Sequence, residues 1–241
     1  MIKKLKKILI AFFLVLAIAA SGVFIAGFNL YRQKIESTPL PVAVEPYISS
    51  KRYSPFEEID PDFVDAVVAI EDKRYFKRDG YDWIALFRAI INNYRAKRFV
   101  EGGSTIGEQV AKNLYFYGEE RGLLEKIAEV FLMNAIEDAY SKEDVFALYA
   151  SMNYYGDGYW GLKEASQGYF DKQCNDLSIP EAAILAGIPN APAILQLSTG
   201  YDKAKDRQEK ILKKMLEEGY ISEYEYNQSL IYDFADYDFQ K

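Results

Sequence analysis

The sequence predicts an all-α protein, and three observations carry that class. Apolar residues recur at helical spacing, as in Ile84, Phe87, Ile90 and Ile91. Helix-start signals punctuate the chain: Asp60 before Pro61, Ser141 before Asp144, and Ser222 before Glu225. No convincing run of alternating polar and apolar residues marks a strand.

The elements follow in order. MIKKLKK carries four lysines, and residues 8–31 contain no charge at all. That length crosses the hydrocarbon core as a helix. A cleaved signal peptide is the rival reading, because AIAASG weakly resembles a cleavage site, but apolar residues continue through Val23, Phe24, Ile25 and Phe28. A retained anchor is favoured. The lysines put residues 1–7 in the cytoplasm and the rest outside. Residues 32–60 read as an extended extracytoplasmic stalk: proline fixes φ and removes a donor, and Pro39, Pro41, Pro46 and Pro55 fall there. Pro61 then opens a helical domain over 61–232. Helices suit 105–117 and 123–140, and Ser178 with Pro180 starts another. The acidic, aromatic tail 233–241 reads as a loose end.

Composition removes whole classes of chemistry. Of 241 residues none is histidine, so His bases, triads and His metal ligands are absent. Cys174 is the single cysteine, which excludes a disulfide framework. The net charge is −7; the first seven residues hold +4, so the remainder holds −11. An acidic body argues against nucleic acid as partner. An anionic ligand then needs a local cationic patch.

Five stretches stand out. AIEDKRYFKRDG (69–80) sets Glu71 and Asp72 where an apolar run gives out, either as a solvated helix end or as a carboxylate at a cleft edge. EGGSTIGEQVAKNLYF (101–116) is a glycine turn running into a helix N-terminus, a place that favours anions or simply an N-cap. ERGLLEKIAEVFLMNAIE (120–137) clusters Arg121, Glu125, Lys126 and Glu129 at a helix start, a common charged pattern when taken alone. NYYGDGYWG (153–161) is a glycine turn among aromatics, suited to a sugar-binding wall or to a tight helix connection. AAILAGIPNAP (182–192) reads as a buried helix stopped by proline.

Together and in this order, the five resemble the peptidoglycan glycosyltransferases, found as monofunctional transglycosylases and as the transglycosylase module of class A penicillin-binding proteins. The family's Glu-Asp-x-x-Phe-x-x-His-x-Gly is met here by Glu71, Asp72, Tyr75, Arg78 and Gly80. Its Gly-Gly-Ser-Thr-Ile-Thr-Gln-Gln, with a following lysine and asparagine, is met by Gly102, Gly103, Ser104, Thr105, Ile106, Gly107, Glu108, Gln109, Lys112 and Asn113. Its Arg-Lys-x-x-Glu is met by Glu125, Lys126 and Glu129. The departures are Tyr75 for phenylalanine, Arg78 for histidine, Gly107 for threonine, Glu108 for glutamine and Glu125 for arginine.

The resemblance implies a lysozyme-like helical head with a small membrane-associated jaw, to which Trp83–Arg98 is assigned as a candidate part. It implies polymerisation of lipid II, a disaccharide-pentapeptide on polyprenyl pyrophosphate, onto a growing glycan strand with inversion at the anomeric carbon. Glu71 is then the general base and Glu129 the second catalytic carboxylate. Lys112, Arg121 and Lys126 are the expected pyrophosphate contacts. Ser104, Thr105, Gln109, Asn113, Arg78, Gly102 and Gly103 are further expected substrate contacts. Glu129 is the expected ligand of a divalent metal, Mg or Mn, with no organic cofactor. Glu125 is expected to repel the leaving group by on the order of a few kcal/mol at intermediate dielectric. Lipid II, the growing strand, the bacterial plasma membrane and a separate transpeptidase are the implied partners of a monofunctional enzyme. A non-catalytic lipid II-binding scaffold is the alternative, favoured by Glu108 and Glu125. A glycan-cleaving lysozyme-like enzyme ranks last.

Overall fold

A computed structural model describes residues 2–78, 80–82, 94–95, 104–235 and 237–239. Among these residues the chain is all-α, with one isolated antiparallel bridge, Tyr154 to Trp160, and no strand. Most of the proposed jaw, Trp83–Arg98, and both Gly102 and Gly103 lie outside the described residues.

Helix α1 runs from Ile2 to Ser37 and is long and apolar enough to cross a membrane. Its first half exposes Ile8, Phe12, Phe13 and Ile18. Its second half docks on the domain. Phe24, Phe28 and Tyr31 meet the ring of Phe131 at centroid distances of 5.1 to 5.6 Å. Gly27 permits the close approach: a Cβ there would lie 2.5 Å from Ile127 Cγ2. Lys34 donates to the Tyr115 carbonyl at 2.9 Å and pairs with Glu119 at 2.7 Å.

The extended stalk is corrected. α1 continues to Ser37, and α2 (Leu40–Ile48) follows at once. Pro41 stands in the first turn of α2, where a missing N–H leaves nothing unpaired. Val44 is buried, and Leu40, Ala43 and Tyr47 pack against the core, so burial outweighs the proline content.

The domain has two packed groups of helices. α3 (Pro61–Glu71), α8 (Ile179–Gly187) and α10 (Leu197–Glu218) pack on one another. α4 (Ile106–Tyr115) packs on α5 (Leu123–Ala139) and α6 (Lys142–Met152), and α1 lies along α5. α7 (Leu162–Phe170) runs between α6 and α8, the short α9 (Pro192–Leu195) runs between α8 and α10, and α11 (Glu223–Leu230) comes last.

Caps set the helix starts. Asp60 accepts from the amides of Asp62 at 2.9 Å and Leu177 at 3.1 Å, joining α3 to the segment before α8. Capping boxes open α4 (Thr105 with Glu108), α6 (Ser141 with Asp144) and α11 (Ser222 with Glu225), and at the start of α8 Glu181 accepts from the Ser178 amide at 2.8 Å. The aromatic glycine turn has Gly156, Gly158 and Gly161 at positive φ.

The loose tail is also corrected. Phe234 is buried, the Tyr237 hydroxyl donates to buried Glu181, and Phe239 lies 6.2 Å from Phe170. Three aromatic residues among nine, Phe234, Tyr237 and Phe239, pack against the domain and outweigh the charge of the tail.

Asp60→Ala removes acceptors for two amides. It is expected to lower stability by about 1–2 kcal/mol, read as a reduced melting temperature of the detergent-solubilised protein; an unchanged melting temperature would refute the capping role.

Candidate active site

Glu71 is the last residue of α3. The apolar run Phe63, Val64, Ala66, Val67, Val68 and Ala69 is buried, so the helix delivers Glu71 to the point where the core ends. The carboxylate is 17% exposed and held on both sides. Gln109 Nε2 donates to Oε2 at 2.9 Å, and Arg207 Nη2 donates to Oε1 at 3.2 Å. A carboxylate offers about four acceptor positions, so these two bonds leave room for a proton. The Glu71 carboxylate is therefore tethered by two side chains from other helices and is not a free helix end.

Gln109 places α4 beside Glu71, and Lys112 is three residues further along the same helix face. Lys112 makes no hydrogen bond or ion pair among the described residues. Burial lowers its pKa, the Arg121 and Lys126 charges lower it further, and Glu129 and Glu71 oppose the shift. Those same interactions show that the base candidate and the cations share one region.

α5 supplies the rest. Lys126 Nζ donates to Ser104 Oγ at 2.8 Å, and contacts Glu108 Oε1 at 2.8 Å and Glu129 Oε2 at 3.3 Å. Arg121 Nη1 donates to Glu129 Oε1 at 2.7 Å. Glu108 and Glu129 are buried, whereas the Lys126 and Arg121 side chains are each 41% exposed. The carboxylates thus form a fixed floor, and the partly exposed Lys126 and Arg121 side chains are held against it.

This donor set does not fit a divalent metal at Glu129. Each Glu129 oxygen faces a cation, and the Lys126 ammonium fills the gap between Glu108 and Glu129 where an ion would sit. No cluster of three or more metal-binding side chains occurs among the described residues.

Other expected contacts separate from this cluster. Thr105 is buried, its hydroxyl accepting from the Glu108 amide at 3.2 Å as a helix cap. Asn113 is buried and donates to Asn153 Oδ1 at 3.1 Å, toward α6. Arg78 is held inward by buried carboxylates. Its side chain is 10% exposed and bound to Asp72 at 2.5 Å. Burial opposes its charge, and Asp72 with the neighbouring carboxylates outweighs that, raising its pKa.

Glu125 also differs from expectation. Its carboxylate turns back to accept from the Gly122 amide at 2.7 Å, at the exposed start of α5. Bonds to its own amide and that of Gly122 lower its pKa. Its charge is matched to the positive end of the helix, so the predicted repulsion of a leaving group has no support in its hydrogen bonding.

Sequence reading missed Arg207. It lies amid KDRQEK, which looks like a solvated face. The available signal was its spacing: three residues after buried Ala204 and four before buried Ile211, on the inward stripe of α10.

The family model described as Transglycosylase matches residues 42–216. Penicillin-binding protein 1A of Aquifex aeolicus is 41% identical over 183 residues, covering 76% of this chain and 25% of the relative. Penicillin-binding protein 1F of Bacillus subtilis is 37% identical over 176 residues, covering 73% and 24%. A Cupriavidus necator protein with a provisional transglycosylase name is 38% identical over 179 residues, covering 74% of this chain and 77% of its own length. The chain thus spans about a quarter of the penicillin-binding proteins it matches.

Because Lys112 has a lowered pKa, its charge is lost on the alkaline side before that of an ordinary lysine. Affinity for an anionic ligand is expected to fall as pH rises through that lowered value and to hold below it. Lys112→Arg should move this alkaline limb to higher pH, as read by pyrophosphate or lipid II binding across pH 7–11; a limb that does not move removes Lys112 from the anion site.

Proposed function

The chain belongs to the transglycosylase family of peptidoglycan glycosyltransferases, and from that premise we propose that it polymerises lipid II into glycan strands at the outer face of the bacterial plasma membrane. The observation that carries this reading is the pairing, along one face of α4, of a held carboxylate with a group of cations. Glu71 lies on Gln109, and Lys112, Arg121 and Lys126 gather beyond it.

In this reading Glu71 removes the proton from the 4-hydroxyl of the acceptor sugar. The oxygen attacks the anomeric carbon of the growing strand from the face opposite the pyrophosphate. The C–O bond to pyrophosphate breaks as the glycosidic bond forms, and the centre inverts. Positive charge develops on the donor ring, as in glycoside hydrolysis. Polyprenyl pyrophosphate leaves with the bonding pair, and Lys112, Arg121 and Lys126 stabilise its charge. Glu129 holds Arg121 and Lys126 in place, so their orientation is set before reaction. Gln109 and Arg207 orient Glu71.

Glu108 and Glu125 were the grounds for a non-catalytic lipid II binder. Both carboxylates accept from helix-terminal amides, and Glu108 also holds Lys126. Neither use conflicts with catalysis. The cytoplasmic N-terminus is proposed from the lysines before the span.

Full-length protein in detergent is expected to convert purified lipid II into strands resolved on a gel. Glu71→Gln should reduce the rate by ~10²–10⁴-fold, the usual range for loss of a general base. Polymerisation that survives the substitution would sink the base assignment.

A further inference from the structure

Three departures from the family motifs converge on one buried carboxylate that no motif contains. Glu137 on α5 has a side chain 5% exposed. The Lys142 ammonium lies 2.7 Å from its Oε2, and Arg78 Nη1 lies 3.7 Å from it. The Tyr75 hydroxyl donates to the Lys142 carbonyl at 2.8 Å, and the Lys142 ammonium lies 4.7 Å from the centre of the Tyr75 ring. Gly107 completes the arrangement: a Cβ there would lie 2.7 Å from Glu137 Oε1 and 2.8 Å from Met133 Cγ. The threonine of the family motif would collide with both.

Arg78 is the junction of this group. It donates to Asp72 Oδ2 at 2.5 Å and to the Gly80 carbonyl, and its Nε lies 4.0 Å from Asp82. Asp72 directly follows Glu71 and caps the end of α3. The same Oδ2 accepts from the Ile106 amide, the first of α4, at 3.4 Å. One guanidinium therefore ties the end of α3, the start of α4 and the C-terminal end of α5. Those helices carry Glu71, then Gln109 and Lys112, then Lys126 and Glu129.

We infer that Tyr75, Arg78, Gly107 and Glu137 form one interdependent unit, in which Arg78 acts through Asp72 to position Glu71 against α4. Arg78 and Glu137 are positioning residues, not catalytic ones. The three motif departures are then a single exchange, in which the arginine needs the buried glutamate and the glutamate needs the glycine. This rests on Glu71 being the base proposed above.

The test is a double-mutant cycle read as strand-forming rate per bound lipid II, which discounts any misfolded fraction. Arg78→Gln is expected to lower that rate at least ~10-fold, and Arg78→Lys to restore it to within about threefold. Glu137→Gln should lower it ~3–10-fold. The double variant should match Arg78→Gln alone within about twofold, because Glu137 acts through Arg78; independent losses would instead multiply. Should Arg78→Gln not fold, Glu137→Gln alone decides: a wild-type rate per bound lipid II overturns the unit. An active wild type whose losses multiply, or whose variants lose nothing, overturns this unit only. A wild type that makes no strands overturns the base reading and this inference with it.

Discussion

Two carboxylates buried within one helical group, Glu108 and Glu129, are accommodated by Lys126, which lies between them, with Arg121 on Glu129 and the Thr105 amide on Glu108. An unpaired charge in an apolar interior costs several kcal/mol, and loss of one partner is more damaging than replacement of both. This constraint fixes how α4 meets α5. Glu108 belongs to the first turn of α4 and Lys126 to the first turn of α5, so the bridge locks the two helix starts together. Ser104 and Arg121 join the same arrangement. The cations that would receive an anionic leaving group are held by the fold itself. Little reorganisation is then left for the moment of reaction, which is what electrostatic preorganisation requires.

α4 divides its faces accordingly. Ile106, Val110 and Ala111 are buried in the core, Glu108 faces Lys126, and Gln109 and Lys112 face Glu71 and the cations. Its capping box does double work, since the same Glu108 side chain satisfies the Thr105 amide and neutralises Lys126. A glutamine could fill the first role but would bring no charge to the second. The glutamate at this position is thus matched to its lysine, much as Glu125 is matched to the amides at the head of α5.

Much of this was legible in the sequence, for identifiable reasons. Helices and caps depend on local spacing, so the starts at Asp60, Thr105, Ser141, Ser178 and Ser222 could be read directly or from their neighbours. Glu71 could be singled out only through the motif resemblance, because the apolar run that ends at it left two readings open. What failed depends on distant residues. Proline content suggested an extended stalk, yet Val44 finds the core. Acidic residues suggested a free tail, yet Tyr237 finds Glu181. Arg207 and Glu137 look like ordinary helix-surface charges until α10 is set against α3 and α5 against α4. Substitutions such as Gly107 read as losses in one dimension, and only in three dimensions does the space they leave prove to be filled.

The anchor adds a last step to the same logic. α1 docks on α5 through Phe24, Phe28 and Tyr31 against Phe131, two residues beyond Glu129. Lys34 grips the end of α4 at the Tyr115 carbonyl. The helix proposed to cross the membrane therefore contacts the two helices that hold the cationic cluster, and it contacts them as a packed element and not as a flexible leash. A lipid-linked pyrophosphate reaches an enzyme at the height its polyprenyl chain dictates. If α1 spans the bilayer as proposed, its packing on α4 and α5 would set the height of Lys112, Arg121 and Lys126 above it. Correct placement of a bound reactant supplies a large share of a catalytic rate. The packing of α1 is in that sense part of the active-site geometry, although none of its residues lies among the reacting groups.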